Sequence, residues 1–489
     1  MPRLLLRKLQ LRRLSLRRLL PCLALVVLAG CAIGPDYARP DLKVPARFRF
    51  DADGTPGASL GDLRWWDLYQ DPVLQRLIRT AMDNNADVRI AAARLTEARA
   101  LAGAAGLAVL PQVSAQVAAQ RSALAQDELR AGQPRMGTLF QAQAALSWEI
   151  DLWGRLRRAR EAARADLLST EFARRAVRVG LVSDVASTWF QLITLHEELA
   201  ITRRTVDTRQ KLVDLTRAKH DRGVISGLDV ASAEAQLAAA RVAIPQQELE
   251  LARTEHQLAI LLGGYPEGIE LPQQAAVPGT APVPPPGLPA SLIERRPDVL
   301  ESEQALVAAN ARAGAAKALL LPTLSLTGEF GRISTDLSRL FTPQNEAWSV
   351  TGGLLQPLLD PQRSVYTKRA ADARRQQALA AYAQSVQRAL GEVADALIAR
   401  VKQGEIEAAQ RDQVEALRRA STIAHARYDV GTASYVDVTN ADRDLFGAEL
   451  SLVTASRDRL LATVQLYRAL GGGWQEAPTP PVAPAASGP

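Results

Sequence analysis

The chain is poor in the residues that build metal and redox sites. Of its 489 residues two are cysteine and four are histidine, and Phe, Trp and Tyr together make 5%. Cys22 and Cys31 both lie near the amino terminus, which excludes a disulfide framework or a cysteine metal site along the body of the chain. The histidines, His196, His220, His256 and His425, fall in helical patterns without metal-ligand spacing, and solvated helix faces account for them. A glycine-rich phosphate loop and a nucleophile elbow are both missing, so no cofactor, metal or catalytic residue is expected and the chain does not read as an enzyme. Beyond residue 30 no apolar run approaches the roughly 20 residues of a membrane-spanning helix. Proline is absent between Pro134 and Pro245 and again from Gln362 to Ala477. What is plentiful is Ala, Leu, Arg and Gln, the usage of long helices.

The basic surplus is local. A formal charge of +7 and a pI near 9.6 suggest a polyanion partner. Arg3, Arg7, Lys8, Arg12, Arg13, Arg17 and Arg18 lie in the first thirty residues, which hold no acid, and the rest of the chain balances 52 basic against 52 acidic residues. No nucleic-acid partner is expected. The same segment has the parts of a secretory signal, a basic region followed by an apolar run from Leu19 to Leu28 broken by Pro21 and Cys22. It ends Leu28-Ala29-Gly30-Cys31, which resembles the bacterial lipobox. That resemblance implies cleavage before Cys31 and lipidation of Cys31 by chains such as palmitate. Ala32, rather than Asp, then points to the outer membrane.

The most informative stretch is Phe140 to Arg155. Phe140, Ala142, Ala144, Leu146, Trp148 and Ile150 alternate with Gln141, Gln143, Ala145, Ser147 and Glu149, the period of a strand with one apolar and one wet face. About ten residues with a dyad period and an aromatic end describe a lipid-facing barrel strand. Asp151-Leu152-Trp153-Gly154-Arg155 follows, and then a helical pattern from about Arg157 to Lys219, roughly 90 Å at 1.5 Å per residue. Two adjacent apolar stripes, one through Leu181, Val185, Leu192 and Leu199 and one through Val182, Ala186, Trp189 and Ile193, suit a helix with a neighbour on each side. A helix buried in a large globular core is the competing reading.

The chain then repeats. Leu110-Pro111 recurs at Leu321-Pro322, and Gly223, Asp229-Val230 and Leu262-Gly263-Gly264 recur at Gly431, Asp437-Val438 and Leu470-Gly471-Gly472. The expected organisation is a signal peptide over 1–30, an extended arm over 31–64, a first repeat over 65–265 with strands at about 112–121 and 139–150, and a Pro-rich linker over 266–288. A second repeat over 289–474 has strands at about 323–332 and 348–355, and a tail over 475–489 ends the chain. Within the first repeat, Trp65 to Leu110 reads as helical, Asp127 to Gly137 as a polar loop, and Leu228 to Leu262 as a helix with a bend at Pro245.

Four amphipathic strands cannot close a barrel alone, and open sheet edges cannot sit in lipid. Two chains would give eight strands with a filled interior, whereas three give twelve and leave a lumen; three is preferred. The lipid-facing side would carry Phe140, Leu146, Trp148, Leu324, Leu326 and Trp348, and the lumen Gln141, Gln143, Ser325 and Thr327. The fold expected is mainly α, long antiparallel helices continuing a shared membrane β-barrel as a helical tube, with an internal two-fold repeat.

Several separated motifs then resemble one family. They are Cys31-Ala32-Ile33-Gly34-Pro35-Asp36-Tyr37, Trp65-Trp66, Asp71-Pro72, Ser147 to Arg155, Tyr428-Asp429-Val430-Gly431 and Leu470-Gly471-Gly472-Gly473-Trp474. Together they resemble the TolC-like outer membrane factors, in their lipoprotein branch. The resemblance implies a homotrimer in outer-membrane lipid with a twelve-stranded β-barrel and a periplasmic α-barrel. It also implies a periplasmic adaptor (membrane fusion) protein and a proton-driven inner-membrane pump as partners, and a passive duct for drugs and toxic compounds in a Gram-negative bacterium. By the same resemblance a periplasmic gate with acidic residues falls on Val436 to Asp442. Asp437 matches, Asn440 stands where aspartate is common, and Asp442 is two positions further round the helix. The alternative for these aspartates is attraction to a helix dipole. Two other functions stay open on the sequence: the exit duct of a type I protein secretion system, and a lipid-anchored periplasmic coiled-coil scaffold or adaptor, which would need no amphipathic strands.

Overall fold

The computed structural model describes residues 32–45, 60, 63–128, 130, 134–266, 294–356 and 361–472. The expected signal, Cys31, the linker beyond Pro266 and the tail lie outside the described residues. The elements in order are α1 (Trp65–Leu68), α2 (Pro72–Asn84), α3 (Ala86–Leu107), β1 (Gln112–Ala123), β2 (Met136–Ile150), α4 (Arg155–Asp221) and α5 (Gly227–Leu261). They continue as α6 (Pro297–Ala318), β3 (Thr323–Ser334), β4 (Glu346–Leu355), α7 (Pro361–Asp429) and α8 (Tyr435–Ala469). The protein is mostly helical with one small sheet. It divides into two compact units, one of Met1–Asp41, Leu95–Thr170 and Ser302–Tyr382, the other of Leu42–Arg94, Glu171–Glu301 and Ala383–Pro489.

The first unit holds the sheet, a four-stranded antiparallel meander in the order β1-β2-β3-β4. β1 and β4 are its edges, each paired on one side among the described residues. The end of the expected polar loop joins the ladder, since Met136 and Gly137 pair with Ala123 and Ser122. An alternation too weak to read beyond Val113 to Gln120 is completed by its partner strand.

The second unit holds the larger core. Its centre is the α4 stripe predicted from spacing: Leu181, Val182, Val185, Ala186, Trp189, Leu192 and Ile193 are all buried, against Leu74 and Ile78 of α2, Leu258 of α5 and Tyr467 of α8. The Asp71-Pro72 pair has a defined task. Asp71 caps α2 by accepting the Val73 amide at 2.8 Å, and its second oxygen accepts the Trp189 indole N–H at 2.8 Å. Pro72 begins the helix, where its missing N–H costs nothing. Trp65 packs edge-on against Trp66 at 5.2 Å, and the Tyr467 hydroxyl donates to the Leu63 carbonyl at 2.7 Å.

The structure corrects one local expectation. Trp65 to Leu110 is three helices rather than one pattern, broken at Tyr69–Asp71 and at Asn85. Asn85 is buried; its Oδ1 accepts the amides of Asp87 and Val88, while its Nδ2 donates to the Leu261 carbonyl. The amide side chain thus replaces the helix bond it interrupts. Pro245 lies inside α5, which runs through from Gly227 to Leu261. Leu262-Gly263-Gly264 ends α5 in a Schellman turn: Gly263 has φ 78° and the Gly264 amide reaches the Ala259 carbonyl at 3.0 Å. A Cβ at Gly263 would lie 2.5 Å from the Asn84 carbonyl oxygen, so glycine is required there both by backbone angle and by space.

Candidate functional site

The sheet sorts its side chains by face. Phe140, Leu146 and Trp148 of β2 share a face with Leu324, Leu326 and Phe330 of β3 and with Trp348, Val350 and Leu354 of β4, because Trp148 stands opposite Leu326 and Phe330 opposite Trp348. β1 adds Val113 and Val117, opposite Leu146 and Ala142. Val113, Val117, Phe330, Trp348, Val350 and Leu354 are exposed to a degree unusual for their size, with Trp348 72% and Val117 82% accessible, while Phe140, Leu146, Trp148, Leu324 and Leu326 are half-buried. Gln141, Gln143, Ser325 and Thr327 fall on the opposite face, joined by Gln112, Ser114, Gln116, Ser349 and Thr351. Arg121, Arg332 and Glu346 are on the apolar face, near the strand ends remote from the helices, with Arg332 opposite Glu346. On the polar face the ionisable strand residues described are Glu149 and Glu329, and Glu149 is held in a two-point pair by Arg155 at 2.8 and 2.6 Å.

The joint between β2 and α4 accounts for Asp151-Leu152-Trp153-Gly154-Arg155. The Asp151 carboxylate accepts the Leu156 and Arg157 amides at 3.1 and 2.8 Å, satisfying two of the donors a helix start leaves open. Trp153 donates its indole N–H to the Pro322 carbonyl at 2.7 Å, tying this joint to the start of β3. Gly154 has φ 77°, and a Cβ on it would lie 2.7 Å from the Ala32 Cα. The glycine is therefore where the amino-terminal arm passes.

That arm is sewn down over residues 32–41. The Ile33 amide donates to the Trp153 carbonyl at 3.0 Å, Arg158 donates to the Gly34 carbonyl and to Asp36, and Asn310 donates to the Pro35 carbonyl at 3.0 Å. Glu303 of α6, 4% exposed, accepts from the Tyr37 hydroxyl at 3.0 Å and from Arg39 at 2.7 and 2.8 Å. Burial, and then the Glu303 charge, push the Tyr37 hydroxyl well above its ordinary value. Sequence reasoning missed Glu303, since nothing local marks an acid that pairs across 264 residues.

At the α7–α8 turn the three expected gate residues part company. Asp437 forms a capping box with Ser434: the Ser434 hydroxyl and amide donate to one Asp437 oxygen at 2.8 and 3.0 Å, and the Asp437 amide donates back at 3.3 Å. Asn440 is exposed on the next turn. Asp442 instead faces α7, where Ser421 donates to it at 2.6 Å and His425 Nε2 lies 2.8 and 3.0 Å from its two oxygens. His425 is thus not the solvated histidine expected from its pattern. Behind these residues Val213, Ala233, Leu237, Tyr428, Tyr435 and Val438 form a small buried cluster. A further centre that sequence reasoning missed is Arg296, which grips Asp298 at 3.0 and 2.7 Å, Glu392 at 2.6 Å and the Ala469 carbonyl at 2.9 Å. Burial alone would raise the Asp298 carboxyl, but the Arg296 hydrogen bond and charge outweigh it and hold it below the usual carboxylate range.

The described residues form an amphipathic sheet joined to long helices. Known proteins share this arrangement. The toluene efflux pump outer membrane protein TtgC of Pseudomonas putida is 32% identical over 456 residues, covering 92% of this chain and 94% of TtgC. The cation efflux system protein CusC of Escherichia coli is 32% identical over 463 residues, 94% of this chain and 99% of CusC. Among solved structures the outer-membrane channel OprN superposes with a TM-score of 0.86 at 31% identity, over 91% of this chain and all of OprN. The description "outer membrane efflux protein" fits residues 77–264 and 288–472, and the chain belongs to that family.

Proposed function

We propose that three copies of the chain, each giving four strands, close one twelve-stranded barrel in the outer membrane and continue it as a tube of long helices, forming the passive exit duct of a tripartite efflux system. The observation that carries this is the sheet with two open edges and an apolar face continuous across all four strands. In lipid such edges must be closed by neighbours. Strands of 10 to 15 residues, tilted, match the hydrocarbon thickness. The trimer places Gln141, Gln143, Ser325 and Thr327 on the lumen and Phe140, Leu146, Trp148, Leu324, Leu326 and Trp348 against lipid. The two repeats are assigned as 65–265 and 289–474. A periplasmic adaptor and a proton-driven inner-membrane pump supply substrate and energy, and the cargo is small molecules. The amphipathic sheet disfavours a non-spanning scaffold.

Purified protein in planar bilayers is expected to give discrete ion-conducting channels; persistent absence of conductance from folded protein would overturn the reading. The same recording tests the gate. Of the two aspartates Asp437 is the proposed gate acid, because it is exposed and its cap engages one carboxylate oxygen, whereas both oxygens of half-buried Asp442 are engaged by His425 and Ser421. Asp437→Asn should lower cation selectivity at low salt, where screening is weakest, and Asp442→Asn should leave it unchanged.

Acylation of Cys31 is proposed as a second anchor, each buried methylene contributing about 0.8 kcal/mol. The described arm begins at Ala32 beside Gly154, at the strand-to-helix joint, a position suited to a chain entering the inner face of the bilayer. Labelled fatty acid should appear on the wild type and vanish in Cys31→Ser; equal labelling of both would remove the anchor from the account.

A further inference from the structure

Residues 208 positions apart hold the two helical hairpins together at matching places. Near the α4–α5 turn Arg217 donates to Glu234 at 2.6 and 3.0 Å. Adding 208 to both numbers gives His425 and Asp442, the pair near the α7–α8 turn. Farther from the turns, Arg241 donates to Gln210 in the first hairpin and Arg418 to Glu449 in the second, again the same two places. The capping boxes Ser226–Asp229 and Ser434–Asp437 correspond as well. One difference in this series changes with pH. An arginine is charged at every physiological pH, whereas an imidazole gains or loses its charge around pH ~6.5.

We propose that His425 and Asp442 form a pH-sensitive pin between α7 and α8, and that the Arg217–Glu234 pin between α4 and α5 is pH-insensitive. A protonated imidazole at 2.8 and 3.0 Å from both carboxylate oxygens adds charge attraction to its hydrogen bond. A neutral one keeps at most the hydrogen bond from Nε2. The groups facing the pair are consistent with this. On α7, Ser421 donates to Asp442 at 2.6 Å and carries no charge. On α4, buried Arg209 donates to the Gln236 carbonyl of α5 at 2.7 Å, lies over the Phe446 ring at 5.4 Å, and feels the Asp442 charge. On α8, Tyr435 also feels that charge, and burial raises its hydroxyl. Arg209 is thus a buried cation engaged by the Gln236 carbonyl and the Phe446 ring, and His425 and Ser421 are the side chains that contact the Asp442 carboxylate in this group. The pair is part-exposed, so the effect is a few-fold and not all-or-none.

The consequence is that acid stiffens the α7–α8 end while the Arg217–Glu234 pin is unaffected; because His220, whose Nδ1 lies 3.1 Å from the Ile225 carbonyl, also sits at the α4–α5 turn, the first hairpin is read in wild type and in His220→Gln. The test is hydrogen–deuterium exchange of the full chain in detergent between pH 5.5 and 7.5, corrected for intrinsic exchange and read on peptides covering 424–445 and 216–237. Protection of the second-hairpin peptide should rise roughly three- to tenfold on acidification, and that of the first should stay flat in His220→Gln. His425→Gln should abolish the rise, His425→Arg should hold protection high at both ends of the range, and Arg217→His should give the first hairpin a rise of its own. A flat wild-type response, a rise that survives in His425→Gln, or a first hairpin that stays flat in Arg217→His would overturn the pin. These readouts sit within one chain and do not depend on conductance, so failure of the duct reading would show separately.

Discussion

Arginine in place of Leu146 is expected to cost about 2–4 kcal/mol per chain, enough to deplete the assembled form, because the charge would be placed near the middle of the lipid-facing side. Leu146 stands between Val113 of β1 and Gly328 of β3, inside the apolar face. Gln143 lies on the same strand but on the other face, between Gln116 and Gly331. The Gln143→Arg variant should therefore assemble nearly as the wild type. Urea titration of detergent-solubilised protein, followed by the fraction that keeps its compact electrophoretic mobility, reads the difference. Equal losses in both variants would mean that the two faces are not differently solvated, and the assignment of lipid and lumen sides would fall.

Glu303→Ala is expected to release the amino-terminal arm. It removes three hydrogen bonds, two of them from the Arg39 cation, from a carboxylate whose side chain is 5% exposed. Breaking a fully buried pair costs about 3–5 kcal/mol, and discounting for Arg39, half exposed at 46%, leaves on the order of 2–3 kcal/mol. Since each 1.4 kcal/mol is about tenfold, trypsin should cut after Lys43 roughly 30- to 100-fold faster than in the wild type (Arg39 precedes Pro40 and is resistant), while sites in the helical core keep their rates. Glu303→Gln retains one acceptor and should fall between. Unchanged cleavage in Glu303→Ala would show that the arm is held by its remaining contacts with Arg158, Asn310 and Trp153.

A mostly helical chain with a small sheet was legible because its signals are local. Alternation from Phe140 to Ile150 needs no partner to be read, and proline-free runs leave long helices uninterrupted. What sequence could not show was how the quoted motifs act. Asp151 and Asp71 look alike as acids before a helix, yet Asp71 divides its oxygens between a cap and the Trp189 indole, 118 positions away. Gly154 and Gly34 make room for backbone that arrives from elsewhere in the chain. Such roles depend on tertiary partners, and no window of residues contains both sides. The same limit explains Asp442. Its place two residues after Asn440 was readable, but its engagement by His425, 17 positions earlier, required knowing how α7 and α8 register. The constant offset of 208 was the one available signal, because it sets His425 against Arg217 and Asp442 against Glu234.

The central claim is that four strands with two open edges are completed by two further copies. Light scattering combined with circular dichroism on the full chain in mild detergent measures it directly. The account predicts a monodisperse, folded particle of three chains and no stable folded monomer at any concentration. A folded, monodisperse particle of one chain with its sheet intact would contradict it.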